Sequence, residues 1–278
     1  LDAAARFAQD HAATGTPPAS ALAELGWTLT LLPEAQGGLD GTLADLGAIV
    51  EGLAGHGLWL PVVEACATVP LLLRAAPPAA GAPWLQALAD GSVTLTLLSD
   101  PAGLPADSTV SARSVDGGFL LDGEVLGVDA TLAASHHLLA ARLADGEPAV
   151  FILPHAALAP PARRHRGLDG HASTDHVIEA LRLPAPACLL RGEAARQALA
   201  AAGQATLLLG AVDTVSALAA LIRHTVAHLQ QRRQFGVALA SFQALRHRVA
   251  DMYVRYRAAR GLLTHAWEAW AKDADDLE

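Results

Sequence analysis

A segment late in the chain brings together residue types that suit a phosphate-bearing ligand. Residues 231–251 read QRRQFGVALASFQALRHRVAD. The forked guanidinium of an arginine such as Arg232 can bond two oxygens of a pyrophosphate at once. Phe235 and Gly236 offer an aromatic wall at a turn, and Ser241 is a predicted N-cap of the next helix, whose start favours anions. The alternative from residue types alone is an ordinary helix hairpin with solvated arginines.

Other clusters of reactive side chains do not complete a site. His224 and His228 stand at i and i+4 on a predicted helix, which suits two metal ligands, but no third ligand is evident. His136 and His137 alternate along a predicted strand and therefore point to opposite faces. The basic run ARRHRG at 162–167 could meet a phosphate, but a solvated loop is the favoured interpretation. No GxSxG, P-loop or GxGxxG motif occurs, and we predict no metal site.

The first part of the chain is predicted to be helical. Ser20 can cap a short helix over ALAEL, and Gly26 follows that helix as a stop signal. Further helical patterns run from about Thr42 to His56 and from about Leu58 to Arg74. The stretch AAPPAAGAP at 75–83 is interpreted as a linker or irregular turn.

From Gly91 the pattern changes to short strands separated by turns rich in Asp, Gly and Pro. Short strands at this spacing, with no long helical patterns between them, favour an antiparallel sheet or barrel over βαβ units. The predicted strands cover 93–98, 108–115, 118–126, 136–143, 149–153 and 176–184.

From about Gly192 the chain is helical again, in two long segments joined near Gly236. Apolar residues recur in both at alternating spacings of three and four, which predicts two buried seams in an antiparallel helix pair. The first seam comprises Leu208, Ala211, Val215, Leu218, Ile222, Thr225 and Leu229. The second comprises Phe242, Leu245, Val249, Met252, Tyr256, Ala259, Leu263, Ala266 and Trp270.

These patterns predict an α+β fold in three parts. Residues 1–90 form an N-terminal helical domain, residues 91–191 a middle antiparallel β-barrel domain, and residues 192–278 a C-terminal helical bundle that is incomplete. The 278 residues are 52% hydrophobic with a mean hydropathy of +0.31, which is ample for a packed core.

Charge and cysteine content narrow the classes of partner and compartment. Lys and Arg total 19 against 28 Asp and Glu, a formal charge of −9, which argues against a nucleic-acid phosphate backbone as the main partner. Two cysteines, Cys66 and Cys188, make no disulfide framework, and the N-terminus has no signal-peptide order, so we expect a reducing, cytoplasmic setting. Gly203 and Gln204 interrupt the longest apolar stretch, so no membrane span is expected.

The run Arg-x-Gln-Phe-Gly-x₅-Phe-Gln-x₃-His-x-x-Ala-Asp at 232–251 resembles the acyl-CoA dehydrogenase family. ELGWTLTLLPEAQGGLDG at 24–41, residues 116–142 and VIEALRLPAPACLL at 177–190 are similar to that family in the same order. The resemblance covers nearly the whole chain. It implies a helical, β-barrel and helical domain order, FAD as cofactor and α,β-dehydrogenation of an acyl-CoA thioester.

The resemblance also implies which residues touch the flavin. In the family, one chain's Arg-x-Gln-Phe-Gly segment holds the pyrophosphate and adenosine end of a neighbour's FAD. Here the matching positions are Arg232, Gln234, Phe235, Leu239, Phe242 and Gln243.

The other side of the family's flavin site, in the middle domain, is eroded in this sequence. The loop starting at Ser99 reads SDPAGLP and lacks the family's Gly-Ser-Asp. Ser99 is its one remaining candidate cofactor contact. Gly127 stands where the family has a ring-stacking Trp, and Asp129 stands where it has a Thr.

No general base is identified, and the catalytic residue is left unassigned. The family places its glutamate in a later C-terminal loop, beyond residue 278 here, or on the first long helix, near Thr206. No carboxylate lies near Thr206, and Glu51 and Glu64 are lone helical acids. Because removing the weakly acidic α-proton of a thioester needs a positioned base, we expect a partner chain to supply it.

Four readings remain open. The favoured one is a subunit of a heteromeric acyl-CoA dehydrogenase that completes its partner's flavin site and has lost its own. The second is a homomeric enzyme whose base lies in an absent C-terminal part. The others are a flavin monooxygenase on the same fold and a non-enzymatic scaffold. The expected partners are an acyl-CoA thioester, a homologous subunit in a dimer or tetramer, and an electron-transfer flavoprotein or other acceptor.

Overall fold

A computed structural model describes residues 1–12, 21–58, 60–98, 109–130, 133–168 and 170–275. Helices come first, then strands, then two long helices, so the predicted α+β class is confirmed. The helices are α1 Asp2–Ala12, α2 Ala21–Glu24, α3 Leu43–Ala54, α4 Val69–Ala75, α5 Pro78–Ala89, α6 Gly192–Gln231 and α7 Gln243–Asp275. The strands are β1 Leu95–Leu97, β2 Ser111–Val115, β3 Gly118–Asp129, β4 His136–Leu143, β5 Pro148–Pro154, β6 Arg163–Arg166, β7 Ala172–Pro184, β8 Cys188–Arg191, β9 Arg233–Gln234 and β10 Val237–Ala238.

Local sequence signals set two of the early helix boundaries. Gly26 ends the turn after α2 with a φ of 70°, a left-handed conformation that glycine adopts without strain. Thr42 caps α3: its N–H and hydroxyl donate to Asp45 Oδ2 at 2.8 Å each, and Asp45 N–H donates back to Thr42 Oγ1 at 3.3 Å. The bond from the Thr42 backbone N–H has the largest effect and the bond from its hydroxyl the next largest, and both lower the pKa of the Asp45 carboxyl. The predicted cap at Ser20 lies outside the described residues.

The middle strands form one eight-stranded sheet in the order β6–β7–β3–β2–β4–β5–β8, with β1 beside β4. The pairings are antiparallel except β1 with β4 and β2 with β4. Among the described residues the end strands β6 and β8 do not pair, so the sheet is open where a barrel was predicted.

The two faces of the sheet bury separate apolar clusters because side chains alternate along each strand. On one face, Leu138 and Ile152 pack with Leu72, Leu73 and other residues of the helices flanking the sheet. On the opposite face, Leu139, Phe151 and Leu153 pack with apolar residues of β2, β3 and β7.

Two sequence predictions in this region are wrong, and one strand was not predicted. The stretch 75–83 is not a linker, because α5 begins at Pro78, where a proline at a helix start loses no hydrogen bond. The basic run at 162–167 contains strand β6, which is paired with β7 and fully exposed. Strand β8 was not predicted at all.

The chain divides into two compact units. One contains residues 17–46 and 60–207 and holds the sheet. The other contains residues 1–16, 47–59 and 208–278. In this second unit Trp267 packs against Gly47, and Arg260 forms a 2.8 Å ion pair with Glu51. The three-domain boundaries drawn from the sequence remain a prediction.

The predicted second seam is less buried than expected. Of its nine residues, Leu263 is buried, Ala266 is exposed, and the other seven are half-buried. The first seam is mixed as well: Leu208 and Val215 are buried, whereas Leu218 is 38% exposed. The 3,4 spacing therefore identifies the inward side of α7 without showing that this chain alone covers it.

Helix α6 is long and apolar enough to cross a membrane by length and composition alone. An 18-residue window in it has a mean hydropathy of 1.9, and 39% of that window is buried inside the protein. The sequence predicted no membrane span here, because Gly203 and Gln204 break the apolar stretch. In the structure both residues lie within the continuous helix. A core helix of a soluble protein meets the same criterion, so the finding is weak evidence for a membrane.

Candidate functional site

The segment 232–243, here called the arginine hairpin, connects α6 to α7. Arg232 N–H continues the helical pattern by donating to His228 O at 2.8 Å, and Leu239 N–H donates to Arg232 O at 2.8 Å. Between these bonds, β9 and β10 pair Arg233 with Ala238 and Gln234 with Val237. Both ends of the hairpin are thereby fixed by backbone bonds.

Phe235 and Gly236 form the two-residue turn of this hairpin, with φ of 53° and 81°. Positive φ at both positions is the turn geometry whose twist matches two antiparallel strands. Glycine adopts it freely, but a phenylalanine in the left-handed region is strained by about 1–2 kcal/mol. Such strain at an exposed residue is more often tied to function than to stability.

The turn carries an aromatic pair. The rings of Phe235 and Phe242 lie edge to face with centroids 6.2 Å apart and an interplanar angle of 88°. Phe235 is 91% exposed. An aromatic face presented to solvent in this way is available to stack on a planar ligand.

The two arginines of the hairpin, and Arg246 just after it in α7, differ in what they contact. Arg233 donates to Gly236 O at 3.2 Å, and Arg246 donates to Ser241 O at 3.1 Å. The Arg232 guanidinium is exposed and has no hydrogen bond or ion pair with any other described residue. Arg232 is therefore the arginine of the three whose side chain is free to take an anion.

The other predicted contacts lie in the same stretch. Gln234 and Gln243 are exposed, and Leu239 and Phe242 are half-buried. The predicted cap is wrong: Ser241 Oγ donates to Ala238 O at 2.7 Å, within a 3₁₀ turn, instead of capping α7. Helix α7 begins at Gln243, one residue after Phe242. The structure thus brings six of the seven predicted cofactor residues together, while Ser99 lies outside the described residues.

In the middle sheet, a glycine occupies the position that was aligned with the family's ring-stacking Trp. Gly127 sits at a bulge in β3, with a φ of 68° and open space where a Cβ would be. Its N–H donates to Asp175 Oδ1 at 3.0 Å, and Asp175 Oδ2 lies 2.8 Å from His165 Nε2. The bond to His165, and then the one to Gly127, lower the pKa of Asp175. Because the residue here is a glycine, it has no side chain that could stack on a flavin ring.

At the helix position where a base was sought, the structure shows a pair of hydroxyls. Thr206 Oγ1 donates to Ala202 O at 2.8 Å and lies 2.8 Å from Thr68 Oγ1. Neither group is a proton acceptor near neutral pH.

The sequence analysis missed the most perturbed acid in the described chain. Glu64 Oε1 accepts the Leu97 N–H at 2.6 Å. Burial, with a smaller effect from the negative charge of Asp129, raises its pKa to about 7, although the Leu97 bond opposes the shift. No sequence signal pointed to Glu64, because its partners are distant in the chain.

The two histidine pairs singled out from the sequence lie in different settings. His224 and His228 are exposed, and the described residues contain no group of three His, Cys, Asp or Glu side chains arranged to hold a metal. His136 and His137 lie on opposite faces of β4, as predicted: His136 contacts the Trp84 ring at 4.9 Å, and His137 is buried.

Comparison with known proteins relates this helix–strand–helix order, and the segment that carries the arginine hairpin, to acyl-CoA dehydrogenases. Residues 192–278 match the model of the acyl-CoA dehydrogenase C-terminal domain. The chain is 28% identical over 246 residues to acyl-CoA dehydrogenase IpdE2 of Mycobacterium tuberculosis, an alignment covering 88% of this chain and 63% of that protein. The chain is thus similar to acyl-CoA dehydrogenases in its C-terminal part and over most of its length, and it spans less than two thirds of this curated relative.

Solved acyl-CoA dehydrogenase structures share the fold. The Tcur3481–Tcur3483 steroid ACAD, solved as a variant, superposes with a TM-score of 0.78 at 25% identity, over 97% of this chain and 76% of that one. The ChsE4–ChsE5 complex from Mycobacterium tuberculosis gives 0.74 at 21% identity, over 92% and 69%. Butyryl-CoA dehydrogenase from Megasphaera elsdenii gives 0.75 at 22% identity, over 89% and 69%.

The residues of this chain fit FAD on one side only. An unpartnered guanidinium at Arg232 and an exposed aromatic edge at Phe235 suit a pyrophosphate and an adenine ring. At Gly127, by contrast, the backbone is left-handed and the space beside it is empty.

Proposed function

We propose that this chain is a subunit of an FAD-dependent acyl-CoA dehydrogenase, in which it supplies the pyrophosphate half of a partner subunit's flavin site. The observation that carries the proposal is the contrast between the two sides. Arg232 is unpartnered beside an exposed aromatic turn, whereas Gly127 leaves the ring side without a stacking group. Truncation of a homomeric enzyme would not explain the change at Gly127.

The relatives support a heteromeric assembly. The Tcur3481–Tcur3483 steroid ACAD and the ChsE4–ChsE5 complex are each named for two different proteins. A partner with an intact middle domain would provide the ring side and the base, and this chain would provide the arginine hairpin. Dimers and tetramers both allow that exchange.

In this assembly the reaction is the α,β-dehydrogenation of a CoA thioester. Bound in the partner's site, FAD would supply the hydride-accepting chemistry, and the base for the α-proton would come from the partner. The role of this chain's residues is binding: Arg232 neutralises and orients the pyrophosphate, Gln234 and Gln243 offer amide donors, and the Phe235–Phe242 pair excludes water from one edge of the ligand. Electrons then pass to an electron-transfer flavoprotein or other acceptor.

The test is co-expression with a homologous acyl-CoA dehydrogenase subunit that carries the ring-stacking Trp and the glutamate base. We expect the two chains to elute together from size exclusion and to retain FAD after desalting, whereas the partner alone retains less. If the chains do not associate, or if the partner binds FAD equally well alone, the proposal is wrong.

A further inference from the structure

Strand β1 is held on both sides by side chains that titrate. It is only three residues long and pairs with one neighbour, β4, in parallel register, with Thr96 opposite His137 and Leu97 opposite Leu138. Leu98 N–H, just beyond it, donates to Leu138 O at 2.7 Å. So short a strand depends on further contacts to stay in place.

On the outer edge the contact is Glu64. Leu97 N–H points away from β4, because alternate amides of a strand face opposite edges, and it donates to Glu64 Oε1 at 2.6 Å. Glu64 belongs to a π-helical turn, Val63–Thr68, that leads into α4. Such turns are rare and re-aim side chains, often at functional sites.

On the β4 side the contact is His137. Its Nδ1 lies 2.8 Å from Thr96 Oγ1, and its Nε2 lies 2.9 Å from His155 Nδ1. Thr96 and His137 are 3% and 6% exposed. The imidazole therefore links the interior of β1 to His155, on the turn after β5.

Among the residues that the structure describes, few charged or titratable groups face these two side chains. Asp129 of β3 faces Glu64, and the neighbouring β1 residues and the turn Trp27–Leu29 contribute none. His155, His176 and His136 face His137, and Arg164 and Asp175 face His176 in turn. Burial favours the neutral form of both groups: it raises the pKa of Glu64 to about 7 and lowers that of His137 to about 4.

We propose that Glu64 and His137 form a compensated clamp on β1: their contacts with Leu97 N–H and Thr96 Oγ1 hold the strand from its two sides, and its opening is nearly independent of pH between about 4.5 and 6.5. The clamp is independent of the proposed flavin chemistry.

The opposition follows from proton linkage. Opening β1 exposes Glu64 to water and returns its pKa toward 4.5, so rising pH favours the open state between about 4.5 and 7. Opening also returns the pKa of His137 toward 6.5, so falling pH favours the open state between about 6.5 and 4. Between pH 4.5 and 6.5 the two slopes offset each other, each being at most about tenfold in the opening constant per pH unit.

The experiment is amide hydrogen exchange of the full chain between pH 4.5 and 6.5, with β1 protection corrected for the intrinsic rate at each pH. We expect wild-type protection to vary by less than about threefold across the window. In Glu64→Gln, which keeps an acceptor for Leu97 N–H, protection should fall as pH falls. In His137→Gln the protection of β1 should fall as pH rises. In each of the two variants the protection should change by up to about tenfold per pH unit.

Matched controls separate the clamp from general packing. Glu124→Gln and His224→Gln remove an exposed acid and an exposed imidazole outside the clamp and should leave the flat profile unchanged. Thr96→Val removes the hydroxyl bonded to His137 but no titrating group, so protection should drop equally at every pH. Slopes of the same sign in the two clamp variants, or a flat profile in Glu64→Gln, would overturn the proposal. If His137→Gln does not fold, the Glu64→Gln slope decides alone.

Discussion

Thr206 Oγ1 lies 2.8 Å from Thr68 Oγ1, at the helix position where some acyl-CoA dehydrogenases carry their glutamate base. Thr206 also donates to Ala202 O on its own helix. The position is occupied by a bonded pair of hydroxyls, which cannot accept a proton from a thioester near neutral pH. This position therefore supplies no base, and in the proposed assembly a partner chain provides it.

Acids of this chain should then be dispensable for proton abstraction. We predict that Asp129→Asn, Glu124→Gln and Glu64→Gln each slow flavin reduction in the active assembly by no more than about tenfold, against the roughly 10²–10⁴-fold that a general base contributes. Asp100, which lies outside the described residues, carries the same prediction. Glu64→Gln is the most stringent of these tests, since the Glu64 pKa of about 7 would suit a general base. A loss of several thousandfold for any of them, with FAD still bound, would place the base in this chain.

The two arginines at the start of the hairpin should differ in their effect on FAD. Arg232 is unpartnered, whereas Arg233 bonds Gly236 O at 3.2 Å. A charge-assisted bond contributes roughly 1.5–3 kcal/mol, so Arg232→Ala should weaken FAD binding by the assembly at least about tenfold. Arg233→Ala is the matched control and should change it much less. Titration of the apo-assembly with FAD measures both, and equal losses would mean that the contact is misplaced.

Removing the Phe235 side chain should relieve backbone strain but weaken the contact with FAD. Its φ of 53° disfavours any side chain, so Phe235→Gly should change the free energy of unfolding by less than about 1 kcal/mol. The same variant loses the exposed ring and should weaken FAD binding about twofold to tenfold. Val237→Ala, at the next position of the hairpin after Gly236, is the control. Unchanged FAD affinity in Phe235→Gly would show that the ring does not touch the ligand.

Restoring the family's ring-stacking residue should not restore a flavin site. A side chain at Gly127 meets open space but must adopt a φ of 68°. Gly127→Ala and Gly127→Trp should each lower stability by roughly 1–2 kcal/mol in urea unfolding. Stoichiometric FAD in isolated Gly127→Trp chain would show that the missing Trp was the whole defect.

The sequence predicted the α+β class and most strands because turn residues and alternation are local signals. It failed at 75–83, where prolines start a helix, and at β6, where four basic residues gave no alternation to follow. The arginine hairpin was found because its residues are contiguous. Glu64 was missed because its pKa depends on Leu97 and Asp129, and only the fold brings these together.

The exposure of the second seam could not be read from sequence either. A 3,4 pattern shows which side of a helix faces inward, but not whether the covering surface belongs to the same chain. In α7 only Leu263 of the nine seam residues is buried.

The most direct test of the central claim is the FAD content of the chain expressed alone, taken from the ratio of flavin to protein absorbance after desalting. With only the Arg232 side of the site intact, the chain should be colourless or clearly substoichiometric in flavin. One tightly bound FAD per chain in the isolated homomer would contradict the claim that this subunit completes a partner's site and has lost its own.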